Sequence, residues 1–398
     1  MFKAKMPSPY QIPVNQNLKA NSQRQIEEAL DYSLQIIGRN MVELDYFPER
    51  WESGAWLTVQ RDRMPSHWVD GFWTGQLWLA YAHTQDADFE TAARVWTSEL
   101  AFLKETTLTH DLGFIFYLSH VLGYRITNDK ELLPNALEGA ETFTRRYNPR
   151  GEYMQAWGRI DGPPFERGRI NIDLMMNMPF FYWASKQSSD PKFALIASRH
   201  ARTSRHTLVR TDGSISQCAD FDPDTGAFLR QSTHQGLSHD STWSRGLAWG
   251  LYGFAEAFRW TGEPVFLYTA RRIAEYAIAN APDDKVPFWD YDSLDIPNTY
   301  RDTSAAAVIA SGLLELADAE SDEDLAQRWR KQALEITLSL WQNYSTRDTD
   351  IPAILVQGSR SVPHGLKDHP LVYGDYYFLE TLTRLLRPDW TETIFGDR

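Results

Sequence analysis

The sequence holds a single cysteine, Cys218, so no disulfide can form within the chain and nothing in it asks for an oxidising compartment. It lacks any run of 18 apolar residues, so no membrane-spanning helix is expected. It is short of positive charge. Its 40 Lys and Arg against 53 Asp and Glu leave a net charge of −13, which argues against a nucleic-acid backbone or an anionic membrane as partner. An anionic small substrate stays open, because local arginines decide that and the total does not. The opening MFKAKMPSPYQIPVNQ is polar and carries no apolar segment of the kind that begins a signal peptide, so a cytoplasmic protein is the expectation. No HExxH spacing and no cysteine cluster occurs, so no zinc site is expected. There is no G-x-S-x-G elbow, no Gly-rich phosphate loop and no βαβ rhythm, which removes support for a serine hydrolase or a nucleotide-binding fold.

Aromatic residues are plentiful: 15 Trp, 18 Tyr and 20 Phe. Most fit a large core. The sharper reading is a sugar site, where the C–H faces of pyranose rings stack on indole.

A pattern also repeats. A polar or Gly-bearing start opens an apolar run of four or five helical turns, which ends at a short acidic turn. The runs are Asp70–Asp86, Asp111–Asp129, Asp173–Asp190, Arg245–Glu263, Asp302–Asp322 and Gly374–Asp389. Each is apolar nearly all round, as a helix buried on most sides would be. Each is followed, and the first preceded, by a more amphipathic segment, such as Leu325–Tyr344 and Gln23–Leu44. Strand signals are weak; one short hairpin is expected within His206–Gly226, with turns at Thr211–Gly213 and Asp222–Gly226. The reading is an all-α fold, a single-domain (α/α)6 barrel of six inner and six outer helices, with an N-terminal arm over 1–20 and the barrel over 21–398. In such a toroid the inner helices run parallel, so Asp70, Asp111, Asp173, Arg245, Asp302 and Asp375 converge at one end. The loops before them carry most of the Trp, His and Arg that stand outside helices.

Asp173 lies among Ile172, Leu174, Met175 and Met176. It reads as a helix N-cap or as a carboxyl whose apolar flanks raise its pKa, which is what a general acid needs. Asp111, after His110, carries the same two readings, and a facing pair of carboxylates is common in sugar chemistry. Asp70 and Asp302 read as structural caps. Arg245, flanked by Trp243 and Trp249, stands against the helix dipole and needs an anion: Asp240, another acid, or a substrate carboxylate. His110 and His234 neighbour other candidates, while His120 on an apolar run reads as a core histidine.

WVDGFWTGQLWLAY, HDLGF, QAW, GRINIDLMMNMP, THQG, STWSRGLAWGLYGFA, YRDTSAAA, GLLEL and GDYYFLE, in that order from Trp68 to Glu380, resemble the unsaturated glucuronyl hydrolases of glycoside hydrolase family 88. The resemblance implies an (α/α)6 barrel and action on oligosaccharides left by polysaccharide lyases, which end in a 4,5-unsaturated uronic acid. It places the general acid/base on Asp173 and the second catalytic aspartate on Asp111. It places substrate contacts on Trp68, His110, Trp157, Thr233, Gln235, Arg245, Trp249 and Ser359. It implies hydration of a vinyl ether, with Arg245 on the substrate carboxylate and Trp68, Trp157 or Trp249 stacked on the ring. No metal or organic cofactor is implied, and the partner is an unsaturated uronate-terminated oligosaccharide handled by a monomer or small homo-oligomer.

This chain departs from the family in three places. Gln217 stands where many members have histidine, Gln231 and Ser232 replace small residues, and the loop Gly358–Tyr373 lacks the Ser/Lys pattern of some sulfate-tolerant relatives. An unsaturated rhamnogalacturonyl hydrolase therefore stays open as an alternative. A sugar epimerase would want histidines where these carboxylates stand. A non-catalytic carbohydrate-binding barrel would explain the tryptophans but not the carboxylates.

Overall fold

A computed structural model describes residues 18–58 and 67–396. Of the arm expected over 1–20, residues 1–17 lie outside that range, and the first helix already begins at Ala20. The helices are α1 (Ala20–Glu43), α2 (Asp70–Thr84), α3 (Ala87–Glu99), α4 (Leu112–Phe116), α5 (Leu122–Thr127), α6 (Leu133–Phe143), α7 (Pro164–Arg167), α8 (Met178–Ser188), α9 (Pro191–Leu208), α10 (Ser244–Thr261), α11 (Pro264–Ala279), α12 (Thr303–Ala319), α13 (Glu323–Tyr344) and α14 (Val372–Leu386). A π-helical turn, Tyr117–Val121, joins α4 to α5.

The ring closes in the order α2, α4–α5, α8, α10, α12, α14, each packing on the next and α14 returning to α2. Outside it, α3 covers α2, α6 covers α4, α9 covers α8, α11 covers α10, α13 covers α12 and α1 covers α14. This is the (α/α)6 barrel expected from the repeat. The two kinds of helix bury different surfaces. In α12 every residue from Thr303 to Ala317 is buried. In α13 the buried positions are Ala326, Trp329, Ala333, Ile336, Thr337, Leu340, Trp341 and Tyr344, a single stripe built on three- and four-residue spacing. Burying one such large side chain contributes about 1.5–3 kcal/mol, so the stripe alone is enough to seat an outer helix.

The acidic turns of the sequence have a local cause. Four of the six inner runs end in left-handed residues, Gln85, Asn128, Ser189 and Gly262, and α12 ends in the extended Glu320. Asp86, Asp190 and Asp322 then accept backbone N–H groups at the start of the next outer helix. These tight reversals occupy one end of the barrel. The other end is left to the long loops.

Three expectations need correction. The strand pair is not confined to His206–Gly226, because α9 continues to Leu208. Instead, after the two-stranded pairs β1 (Arg50–Glu52) with β2 (Ala55–Leu57) and β3 (Tyr147–Asn148) with β4 (Tyr153–Met154), β6 (Cys218–Phe221) is the centre of a three-stranded antiparallel sheet between β5 (Arg169–Asn171) and β7 (Phe228–Ser232). Asp173 does not begin an inner helix. It is the second residue of a 3-10 helix, Ile172–Asn177, that links β5 to α8, and α8 starts only at Met178 with Pro179 in its first turn. Asp70 is not a cap; its carboxylate meets His67 Nδ1 at 2.6 Å. Asp302 is the cap it was read to be, taking the N–H groups of Ser304 and Ala305. His120 is buried beside Ser119 Oγ at 3.0 Å, as a core histidine.

The 3-10 segment sits against α4 through one glycine. A Cβ on Gly113 would lie 2.6 Å from Cα of Asn177. Gly113→Ala is therefore expected to cost about 1–3 kcal/mol in urea unfolding, the range for overpacking a filled contact. A variant with wild-type stability would show that the contact yields freely.

Candidate active site

At the loop end of the barrel a cavity of about 220 Å³ is lined by Trp68, His110, Asp111, Trp157, Asp173, Gln235, Arg245 and Trp249, together with Leu108, Thr109, Gly158, His234, Trp243, Arg360, Ser361, His364 and Leu366. Eight of the ten residues assigned from sequence thus meet in one place. Thr233 and Ser359 lie outside the lining. Thr233 Oγ1 donates to Gln217 Oε1 at 2.9 Å, and Ser359 Oγ donates to the Arg301 carbonyl at 2.8 Å.

The walls are aromatic. Trp68 packs on Tyr373 at 5.0 Å and on Phe72 and Phe114, while Trp249 packs on Phe114 at 5.3 Å and Tyr377 at 5.4 Å. Trp157 stands edge-on to His110 at 5.6 Å and tilted to His234 at 5.5 Å. These contacts fix the indole planes before any ligand arrives.

The two aspartates differ in their partners. Asp111 occupies the cap position of α4 but makes no cap bond. Its Oδ2 faces Thr109 Oγ1 at 3.4 Å and its Oδ1 faces Asn177 Nδ2 at 3.5 Å. Asp173 is half-buried, and its Oδ1 is out of solvent with no hydrogen-bond partner. The cap of its 3-10 helix is Asn171, whose side chain accepts the Leu174 N–H. Burial raises both carboxyls to about 7. At Asp111 the charge of Asp173 adds to the rise, and Asn177, Arg146 and Thr109 oppose it; at Asp173 only Arg245 and a backbone bond oppose it. The donors around Asp111 favour its ionised form, and the orphan oxygen of Asp173 favours a neutral carboxyl. The charge of Asp173 acts on Asp111, so the two carboxyls titrate as a coupled pair near neutral pH.

His110 is not a base of this site. Asn171 Nδ2 donates to its Nε2 at 3.0 Å, and burial with the nearby Arg146 charge holds its pKa well below the usual range. It stays neutral, so its 3.5 Å approach to Asp111 is not an ion pair.

Arg245 found its anion inside the protein. The acid is Asp302 and not Asp240: Nη1 donates to Asp302 Oδ2 at 2.7 Å and to the Ser359 carbonyl at 2.6 Å, and Nη2 donates to the Arg360 carbonyl at 2.6 Å. The guanidinium stacks on Trp243 and Tyr373. One edge still faces the cavity, and Nη2 retains a second hydrogen for a ligand.

Gln217 fixes the neighbouring turn. Its Oε1 accepts from Thr233 Oγ1, His234 N and Gln235 N, and its Nε2 donates to Gln235 Oε1 at 2.7 Å. Gln235 in turn donates to the Arg360 carbonyl at 2.7 Å.

Several residues had not been singled out from sequence. Arg360, held by Glu49 at 2.7 Å, and Ser361, bonded to His364 Nδ1 at 2.7 Å, sit in an irregular loop with no period to mark them. Asn171 and Asn177 gave a signal that went unused: amides inside an otherwise apolar run.

Three comparisons bear on this arrangement. Residues 43–385 match Glycosyl Hydrolase Family 88. The chain is 38% identical over 369 residues to an unsaturated glucuronyl hydrolase from Bacillus sp. (strain GL1), covering 91% of this chain and 97% of that protein. It is 32% identical to an unsaturated chondroitin disaccharide hydrolase from Streptococcus agalactiae serotype III (strain NEM316), covering 92% of each. The crystal structure of the unsaturated glucuronyl hydrolase from Bacillus sp. GL1 superposes with a TM-score of 0.85 at 36% identity, over 90% of this chain and 96% of that one.

Two outcomes test the electrostatics. Arg245→Ala leaves Asp302 buried without its cation and is expected to cost roughly 3–5 kcal/mol by denaturant titration. An unchanged midpoint would show that the pair holds nothing together. Asp173→Asn is expected to raise Tm at pH 8. The carboxyl titrates near 3.8 when unfolded and about 7 when folded, so its ionisation subtracts stability as pH rises through that window. The gain should shrink toward pH 4, and a gain that is equal at both pH values would refute the assignment.

Proposed function

The chain belongs to glycosyl hydrolase family 88 and is a glycosidase of the unsaturated glucuronyl hydrolase type, and we propose that Asp173 and Asp111 carry its reaction, the hydration that removes a 4,5-unsaturated uronic acid from the non-reducing end of an oligosaccharide. The observation that supports this most directly is the buried, unbonded Oδ1 of Asp173 in the wall of an aromatic cavity. Folding leaves that carboxyl unsatisfied, and a neutral acid is the form that tolerates it.

In this reading Asp173, whose Oδ1 meets no donor, holds the shared proton, and Asp111, facing Thr109 and Asn177, is ionised. Asp173 gives its proton to C4 of the vinyl ether, and positive charge develops on C5 and the ring oxygen. Ionised Asp111 stabilises that charge in a site with little water to screen it. Water adds at C5 and gives its proton to the Asp173 carboxylate, which restores the starting pair. The C5 hemiketal then opens and frees the ring oxygen as a hydroxyl on C1, and this hemiacetal releases the leaving sugar. Trp68, Trp157 and Trp249 supply stacking faces, Arg245 offers its remaining Nη2 hydrogen to the uronate carboxylate, and Gln235 and His110 complete the polar lining. An epimerase would need a histidine as base, and His110, whose basicity is lowered by burial and the Arg146 charge and whose Nε2 is taken by Asn171, is not placed to serve as one.

The test uses the near-ultraviolet absorbance of unsaturated disaccharides from several lyases. Wild type should abolish the absorbance, and Asp173→Asn should lower kcat about 10²–10⁴-fold, the range for loss of a general acid. The wild-type pH profile should be a bell centred near 7: protonation of Asp111 closes the acid side, loss of the Asp173 proton closes the basic side, and the residual activity of Asp173→Asn should lack the basic limb. Full activity in Asp173→Asn would overturn the assignment.

A further inference from the structure

Arg146 ends the 3-10 helix Thr144–Arg146, behind the wall that carries Trp157. It is 2% exposed, yet among the described residues no carboxylate pairs with it. All its hydrogen bonds go to main-chain carbonyls. Nε donates to Gln155 at 2.9 Å, Nη1 to Thr107 at 2.6 Å, and Nη2 is shared among Ala156 at 2.9 Å, Trp157 at 2.6 Å and Gly158 at 3.0 Å. The Gln155 N–H returns a bond to the Arg146 carbonyl at 2.9 Å.

A buried guanidinium is costly, and most are matched by an acid. Here carbonyl dipoles solvate the charge without cancelling it. The five carbonyls come from the two segments that carry candidate residues: Thr107, three residues before His110, and Gln155–Gly158, which includes Trp157. One side chain therefore ties the Asp111 segment to the Trp157 wall and leaves a positive charge behind both.

We propose that Arg146 is a positioning residue that sets the Trp157 wall against His110 and, through its uncancelled charge, keeps Asp111 the ionised member of the carboxyl pair. The inference rests on the reading of Asp111 given above. The charged and titratable groups facing Asp111 are His110, Asp173 and Arg146, and Arg245 acts on Asp173. Arg146 opposes the rise at Asp111 and does not act on Asp173, so it biases where the shared proton sits; it also helps keep His110 neutral.

Arg146→Gln and Arg146→Lys separate charge from clamp. With the unsaturated disaccharide, Arg146→Gln should move the acid limb of kcat up by about one pH unit, as expected for losing a buried cation whose charge acts on a buried carboxylate. That corresponds to about a tenfold loss of rate on that limb. Arg146→Lys keeps the charge but cannot span five carbonyls. Its acid limb should stay in place while KM rises several-fold as Trp157 loosens. A lowered Tm with both limb and KM at wild-type values in either variant would make Arg146 mere framework and overturn the proposal. Should Arg146→Gln fail to fold, Arg146→Lys decides alone: a raised KM with an unmoved limb supports the proposal, and any other pair of values overturns it. Wild-type enzyme run alongside keeps the two readings apart, because a wild type that leaves the absorbance intact refutes the hydration reading itself.

Discussion

The buried pair of Arg245 and Asp302 is the joint on which the cavity is assembled. Asp302 caps α12 with Oδ1, takes the Ser359 N–H on the same oxygen, and offers Oδ2 to Arg245. Arg245, on the first turn of α10, donates two further hydrogens to the carbonyls of Ser359 and Arg360. Two inner helices and the irregular loop that follows them are thus locked by one ion pair with most of its lone pairs and protons used. That is the condition under which a buried pair repays its desolvation. The Arg360 carbonyl also accepts Gln235, so the turn that Gln217 organises is joined to the same point.

Against this satisfied frame, the acids of the barrel mouth sort by what meets them. Asp302 has its arginine and three N–H donors. Asp375 is raised to about 7 by burial, yet both its oxygens receive an N–H, from Leu355 and Ile354. Its role ends in holding that segment. Asp70 has His67. Asp173 alone among them keeps an oxygen that is buried and unbonded. A raised pKa does not distinguish a catalyst from a structural acid; here the difference is an unmet oxygen on a residue that lines the cavity.

How much of this was legible in the sequence follows from what each signal measures. Periodicity reports burial around a helix, so the ring and its outer layer were readable, and α13 with its one stripe most plainly. The acidic turns were visible as punctuation, and their cause is capping of the outer helices. The start of α8 was misplaced because an apolar run has no phase. Ile172–Asn177 looks like the first turns of a helix, and only Pro179 and the flanking Asn171 and Asn177 hint that a 3-10 link precedes it. Family motifs brought eight residues to one cavity, whereas Ser359 and Thr233 turned out to serve the loop scaffold. Arg360 and His364 left no trace because a loop that is neither periodic nor capped is fixed by tertiary bonds that no short window contains. Arg146 was invisible for the same reason: nothing local in TRRYN says which arginine will be buried.

The distribution of unmet groups also ties stability to the proposed chemistry. A fold gains by satisfying buried polar atoms, and the frame around Arg245 satisfies most of its own. The wall holding Asp173 does not, and it cannot do so without giving up the proton: an N–H or a cation brought to Oδ1 would pull that carboxyl back toward its ordinary range, as donors do for Asp220, which two arginines hold below it. Asp220 lies on the strand paired with β5, which leads into the Asp173 segment, so the same sheet carries a fully paired aspartate and, just past its end, an unpaired one. The difference is not residue type or neighbourhood in the chain. It is that Arg169 and Arg230 reach Asp220 from the solvent face, whereas Asp173 stands among the buried Ile172, Leu174 and Met175 in the chain and its Oδ1 meets no donor. The instability this leaves is small enough for a barrel of this size to carry, and it is what allows one aspartate to hold a proton near neutral pH.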